Sequence, residues 1–139
     1  MADPGTCVDC IQEPQTGSES ILHPQEIETT GFVPPTPIPG PSVIIEFCDR
    51  CRWLHRASWV STELFLTFPT PTIKAISLMP LSSEETAGRF RVWLCLDGVP
   101  PSLMWDRKIE GGFPELKVLK QRIRDKVQPG KSLGHSDKK

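Results

Sequence analysis

The sequence predicts an α/β (α+β) domain in which two helices pack on a four-stranded mixed sheet, in the element order β-α-β-β-β-α. Three observations carry this prediction. Residues 43–47 form a short β-branched run with the profile of a buried strand, and apolar residues recur at helical spacing after it. Residues 89–96 alternate between apolar and other side chains, which is the period of a strand with two different faces.

The first three elements form a predicted βαβ unit. The apolar positions of its helix are Trp53, Ala57, Val60 and Leu64. This helix is expected to begin near Arg52 and to end at Pro69, because proline lacks a backbone N–H and clashes with the preceding turn. A second strand is predicted over 72–79, and the strand-helix-strand order favours a right-handed crossover.

The second half of the chain predicts two more strands and a second helix. The pair Asp97-Gly98 favours a two-residue hairpin turn after the alternating run, and the returning strand is expected over 102–107. Gly111-Gly112 predicts a sharp turn, where glycine permits a positive φ. The apolar positions of the second helix are Leu116, Leu119, Ile123 and Val127. This order of elements is a minimal thioredoxin-like arrangement.

The first 42 residues differ from the rest in composition. They contain six acidic residues, eight of the fifteen prolines and no Lys or Arg. Such a segment cannot bury enough apolar surface to offset the entropy of ordering it, so we expect a disordered, acidic, proline-rich tail over residues 1–42. Residues 33–41 are expected to form an extended linker. The folded domain is predicted over 43–128, followed by a polar C-terminal tail over 129–139.

Composition and charge narrow the class of protein. No stretch approaches the run of about 20 apolar residues that spans a membrane, and the N-terminus lacks the basic start and apolar core of a secretory signal. We therefore expect a cytoplasmic protein whose cysteines are reactive or metal-binding. Residues 43–139 carry 16 basic and 11 acidic side chains, an excess too small to predict nucleic-acid binding. The cysteines are Cys7, Cys10, Cys48, Cys51 and Cys95.

The strongest chemical signal is Cys48-Asp49-Arg50-Cys51, a Cys-x-x-Cys motif between the first strand and the first helix. Disulfide exchange requires one thiolate that attacks and a second thiol close enough to resolve the mixed disulfide. A helix N-terminus presents free N–H groups to a nearby sulfur, and Arg50, Arg52 and His55 add positive charge there. Because cations stabilise a thiolate, we predict a lowered pKa for at least one of Cys48 and Cys51.

Other residues leave alternatives open. Cys7 and Cys10 form a second Cys-x-x-Cys pair, which would complete a tetrahedral zinc site with the motif cysteines, serve as a regulatory dithiol, or occur by chance. The 37-residue gap between the pairs is longer than is usual in zinc ribbons. Gly111-Gly112 either provides only a turn or brings backbone amides close to a bound thiol peptide. Cys95, opposite the apolar row of its strand, is expected to be half exposed and inert.

Five segments of the sequence resemble the selenoprotein W/T/H-like (Rdx) family, particularly its cysteine-containing members. They are 43–51, 105–108, 111–115, 119–125 and 133–137. The resemblance implies a thioredoxin-like fold and thiol redox activity connected with glutathione. It places Cys51 where selenoprotein members carry selenocysteine, and so implies that Cys51 meets the substrate and Cys48 resolves.

Thioredoxin-type exchange instead favours Cys48 as the attacking thiolate, so the order of attack stays open. Thioredoxins also carry a substrate-contacting cis-proline directly before the third strand, where this sequence has Gly88-Arg89, and this difference favours small-thiol chemistry. The predicted function is a thiol–disulfide oxidoreductase that exchanges with glutathione or protein thiols in cell redox homeostasis, with glutathione as thiol co-substrate and no other cofactor. The rival hypotheses are a redox-sensitive adaptor without turnover and a zinc-binding module that uses both Cys-x-x-Cys pairs.

Overall fold

Four strands form one mixed sheet in the computed structural model, which describes Gly31 and residues 33–138. The strands are β1 (Ser42–Cys48), β2 (Ala75–Leu81), β3 (Phe90–Cys95) and β4 (Ser102–Asp106). Their spatial order is β2-β1-β3-β4, with β1 parallel to β2 and antiparallel to β3, and β3 antiparallel to β4. The predicted thioredoxin-like arrangement with a four-stranded mixed sheet is confirmed.

The helices are α1 (Leu54–Thr67), α2 (Arg107–Glu110) and α3 (Leu116–Val127), followed by a 3₁₀ helix (Gly134–Asp137). The two helices that the sequence predicts are α1 and α3. The short helix α2 is additional, and it forms because the Asp106 carboxylate accepts hydrogen bonds from the amides of Lys108, at 2.8 Å, and Ile109, at 3.2 Å. The strand predicted over 102–107 is therefore one residue too long.

One face of the sheet packs against α1 and α3 and forms the hydrophobic core. The alternation predicted for β3 is observed, since Phe90, Val92 and Leu94 are buried while Arg91 and Trp93 lie on the opposite face. The helices contribute Ala57, Val60, Leu64, Leu119 and Ile123. The core thus holds β1 in place, and the C-terminal residue of β1 is the first residue of the motif.

The opposite face of the sheet holds a groove of about 330 Å³. Its lining residues are Ile44, Glu46, Met79, Arg91, Trp93 and Pro101. Its polar side chains are paired: Trp93 Nε1 donates to Glu46 Oε2 at 2.8 Å within the groove, and Arg91 Nε donates to Asp106 Oδ2, outside the lining, at 2.6 Å.

The predicted segments outside the core have different outcomes. The tail predicted over 1–42 lies largely outside the described residues, and within it residues 33–39 are exposed and belong to no helix or strand. The polar C-terminal segment contacts α3, because Arg124 Nη1 binds Asp137 Oδ1 at 2.6 Å. Among the residues that the structure describes, no helix is long and apolar enough to cross a membrane.

Candidate dithiol site

The Cys-x-x-Cys motif begins at the last residue of β1 and continues into a turn. Cys48 ends the strand, and α1 begins only at Leu54, two residues later than the sequence predicts. The reason is Arg52, whose φ of 58° lies in the left-handed region and cannot continue a right-handed helix. Cys51 therefore lies in the turn and not in the first turn of α1.

Backbone hydrogen bonds hold this turn between two neighbouring strands. The Cys48 amide donates to the Arg89 carbonyl at 2.8 Å, and the Asp49 amide donates to the Leu81 carbonyl at 2.9 Å. One bond joins the motif to the segment before β3, and the other joins it to the end of β2. These backbone hydrogen bonds to the sheet thereby fix the position of Cys48.

The two motif cysteines differ sharply in exposure. Cys48 is buried, with 1% of its surface exposed, whereas Cys51 is exposed. Both are free thiols, and the Cys51 amide donates to Cys48 Sγ at 3.3 Å. An inner sulfur thus lies beneath an outer one, and only the outer one is open to a partner molecule.

The titrations of the two motif thiols are linked by the hydrogen bond between them. The hydrogen bond from the Cys51 thiol is the main cause that lowers the pKa of Cys48; burial opposes it, and the amides of Gly88, Cys51 and Arg50 assist it. The same hydrogen bond raises the pKa of Cys51, with burial adding to the rise and the Gly88 amide opposing it. This hydrogen bond therefore favours the thiolate on Cys48 and the proton on Cys51.

The lowered pKa agrees in direction with the sequence prediction, but its cause is different. Arg50, Arg52 and His55 are all exposed, and Arg50 acts on Cys48 through its backbone amide. Arg52 and His55 instead line a surface pocket of about 480 Å³ beside the motif, together with Asp49 and Leu54. Backbone amides and the partner thiol, rather than the basic side chains of the turn, stabilise the thiolate.

A guanidinium from a distant element completes the site. Arg107, the first residue of α2, donates from Nη1 to the Gly88 carbonyl at 3.3 Å, and its charge lowers the pKa of Cys51. Its guanidinium carbon lies 4.8 Å from the centroid of the Trp53 ring and 5.4 Å from that of Phe113. In the sequence Arg107 falls at the end of a predicted strand and inside one matched segment, but no spacing relates it to the motif.

Aromatic rings form the wall behind this guanidinium. Trp53 meets Phe113 edge to face, with ring centroids 4.8 Å apart, and Phe90 meets Phe113 at 5.5 Å. The guanidinium carbon of Arg56, on α1, lies over the Phe113 ring, 3.9 Å from its centroid. The motif, the start of α1 and the segment after α2 are therefore packed into one unit.

The two glycines predicted as supporting residues form the turn after α2. Gly111 has a φ of 77°, and the amides of Gly111 and Gly112 both donate to the Arg107 carbonyl. The Gly112 carbonyl accepts a hydrogen bond from Trp105 Nε1 at 2.9 Å. Their amides are thus engaged in ending the helix that carries Arg107.

The remaining cysteines stand apart from this site. Cys95, at the end of β3, is half-buried as expected. Cys7 and Cys10 lie outside the described residues, so the zinc hypothesis stays a hypothesis. Within the part of the chain that the structure describes, no three metal-ligating side chains form a cluster.

The fold and the site together define a thioredoxin-like domain with a dithiol at the end of its first strand. The Rdx family model matches residues 42–125, and the chain belongs to the Rdx family. The match begins with β1 and includes both the motif and Arg107. The resemblance drawn from the five segments is confirmed.

Solved structures give the same result. The chain is 41% identical to the selenoprotein W-related protein from Vibrio cholerae, with a TM-score of 0.52, over 63% of this chain and 96% of that one. It is also 41% identical to a protein from Bordetella parapertussis, with a TM-score of 0.50, over 62% of this chain and 96% of that one. A search of the curated proteins found no match.

Proposed function

We propose that this chain is a thiol–disulfide redox protein whose Cys48–Cys51 pair cycles between dithiol and disulfide, with glutathione or protein thiols as exchange partners. Membership of the Rdx family supports the thiol chemistry. The observation that carries the proposal is a buried Cys48 Sγ that accepts a hydrogen bond from the amide of an exposed Cys51. A pair of purely structural cysteines requires neither feature.

Exposure and charge point to different sulfurs as the attacking group. The lowered pKa favours a thiolate on Cys48, which is buried, whereas the raised pKa favours the proton on Cys51, which is exposed. A proton transfer along the hydrogen bond resolves this conflict. Cys51 gives its proton to Cys48 and becomes the attacking thiolate, so that Cys48 acts as its general base.

The exchange then proceeds in two displacements. The Cys51 thiolate attacks one sulfur of a disulfide, forms a mixed disulfide and expels the other half as a thiolate, which takes the proton now on Cys48. The Cys48 thiolate next attacks Cys51 Sγ, forms the Cys48–Cys51 disulfide and expels the second half as a thiolate. The dithiol loses two electrons and the substrate disulfide gains them.

Trapping the mixed disulfide tests this order of attack. The full chain is incubated with glutathione disulfide as wild type, as Cys48→Ser and as Cys51→Ser, and peptide mass spectrometry locates the adduct. We expect a stable glutathione adduct on Cys51 in Cys48→Ser and no adduct on Cys48 in Cys51→Ser. An adduct on Cys48 alone would reverse the assignment, and a wild type that forms no Cys48–Cys51 disulfide would reject the proposed function.

The same preparation separates the rival hypotheses. A redox-sensitive adaptor would form the disulfide reversibly but would not accelerate the reduction of any added disulfide. A zinc module would hold one zinc per chain when reduced and would lose it on Cys7→Ser. The proposal places the protein in the reducing cytoplasm, where glutathione returns the disulfide to the dithiol.

A further inference from the structure

We infer that Arg107 is a positioning residue for the dithiol, an inference that rests on the proposed function. Arg107 holds Gly88 against the two sulfurs and places a fixed positive charge beside Cys51. Because a positive charge favours a thiolate over an uncharged disulfide, Arg107 makes the pair more oxidising. Arg107 lies outside the motif, on a different element of the fold.

The contacts of Arg107 hold its guanidinium in one place. It lies against Trp53 and Phe113 while Nη1 donates to the Gly88 carbonyl at 3.3 Å. Its Nε is buried and has no hydrogen-bond partner among the described residues. A buried unsatisfied N–H is unfavourable, and a side chain free to turn to solvent would avoid that cost.

Gly88 connects the guanidinium to the sulfurs. Its carbonyl accepts from Arg107, and its amide stabilises the thiolate of either cysteine. The next residue, Arg89, accepts the hydrogen bond of the Cys48 amide at 2.8 Å. Gly88 has a φ of 72°, and a Cβ atom built there would lie 3.8 Å from Arg107 Nη1, so the two residues are in close contact.

The charge of Arg107 also acts on Cys51 in the required direction. The first displacement needs Cys51 as a thiolate, whereas the hydrogen bond to Cys48 and burial keep its proton in place. The other groups of the site are Cys48, the Gly88 amide and the exposed charges of the turn and α1: Asp49, Arg50, Arg52, His55 and Arg56. Arg107, on α2, is the side chain whose positive charge lowers the pKa of Cys51.

Three variants of the full chain test this inference. Arg107→Met removes the charge and keeps an apolar stem against the rings, and Arg107→Lys keeps the charge without the planar stack. Arg56→Met is the matched control, because Arg56 lies over the same Phe113 ring but is exposed, and among the described residues the side-chain hydrogen bond to the Gly88 carbonyl comes from Arg107. Each variant is equilibrated with reduced and oxidised glutathione, and the alkylation rate of Cys51 is measured against pH.

In Arg107→Met we expect the equilibrium constant for disulfide formation to rise roughly twofold to fivefold and the alkylation midpoint of Cys51 to move to higher pH. Arg107→Lys should fall between wild type and Arg107→Met, and Arg56→Met should match wild type in both measurements. A folded Arg107→Met with unchanged equilibrium and midpoint would overturn the inference. So would an equal effect in Arg56→Met.

The two readouts keep this test separate from the proposed function. If wild type forms no Cys48–Cys51 disulfide, the proposed function fails, yet the alkylation midpoint of Cys51 still reports whether Arg107 acts on it. If wild type cycles normally and Arg107→Met is unchanged, only the inference about Arg107 fails. Thermal unfolding of each variant identifies loss of fold, and Arg107→Lys then carries the test.

Discussion

Replacing Asp106 with alanine removes three hydrogen bonds at the junction between β4 and α2. Oδ1 accepts from the amides of Lys108 and Ile109, and Oδ2 accepts from Arg91 Nε at 2.6 Å. Loss of a helix cap costs about 1 kcal/mol. The ion pair adds about 1 kcal/mol, a value reduced because the Arg91 side chain is 33% exposed.

We therefore expect Asp106→Ala to lower the free energy of unfolding by about 2 kcal/mol. For a domain of this size that corresponds to a fall in Tm of roughly 8–16 °C. Asp106→Asn retains a capping oxygen and loses only the charge, so its cost should be about half as large. Asp125→Asn is the control, since among the described residues this exposed carboxylate pairs with Arg124 alone and its loss should cost less than about 0.5 kcal/mol.

The pH dependence provides a second check on the ion pair. Burial raises the pKa of Asp106, but Arg91 and the amides of Ile109 and Lys108 outweigh it, so the folded pKa lies below the ordinary value. The stabilisation is thus fully present above about pH 4 and is lost as the pH falls through the folded pKa. Urea unfolding at pH 7, 5, 4 and 3 should show the gap between wild type and Asp106→Asn closing at the acid end. A gap of equal size at pH 3 and pH 7, or an Asp106→Ala variant no weaker than the control, would refute the reasoning.

Two further predictions concern the core and the exposure of the motif. Leu64→Ala should lower the free energy of unfolding by about 2–5 kcal/mol, because Leu64 is 0% exposed. Leu66→Ala on the same helix, where Leu66 is 74% exposed, should change it by less than about 0.5 kcal/mol in the same urea titration. Iodoacetamide should label Cys51 well before Cys48 in the native chain and both at similar rates in guanidinium chloride; equal native rates would contradict the buried position of Cys48.

The core elements could be predicted because their signals are local. The β-branched run of β1, the alternation of β3 and the apolar stripes of α1 and α3 each report which side of an element is buried. Order and spacing then leave few ways to assemble one sheet. The boundaries were harder, as the start of α1 shows, because a single left-handed residue, Arg52, ends the turn without any breaker in the sequence.

The sequence by itself also identified the candidate dithiol, since a Cys-x-x-Cys pair between a strand and a helix is typical of a thiol redox motif. It assigned the stabilising charge to Arg50, Arg52 and His55, whereas the main causes that lower the pKa of Cys48 are the Cys51 thiol and backbone amides. Arg50, Arg52 and His55 are adjacent along the chain, but the turn exposes them to solvent. Proximity in sequence is a poor guide to electrostatic effect, because screening depends on burial.

Only the tertiary structure decided which sulfur is open and which groups surround the pair. The carbonyl of Arg89 and the amide of Gly88 reach the motif because β3 pairs with β1. Arg107 reaches Gly88 because β4 pairs with β3 and α2 directly follows β4. Such contacts join segments far apart in the chain and leave no periodic trace in either segment. The dithiol could therefore be found from local pattern, whereas the pKa shifts of its two thiols, the exposure of each sulfur and the position of Arg107 depend on how the sheet assembles.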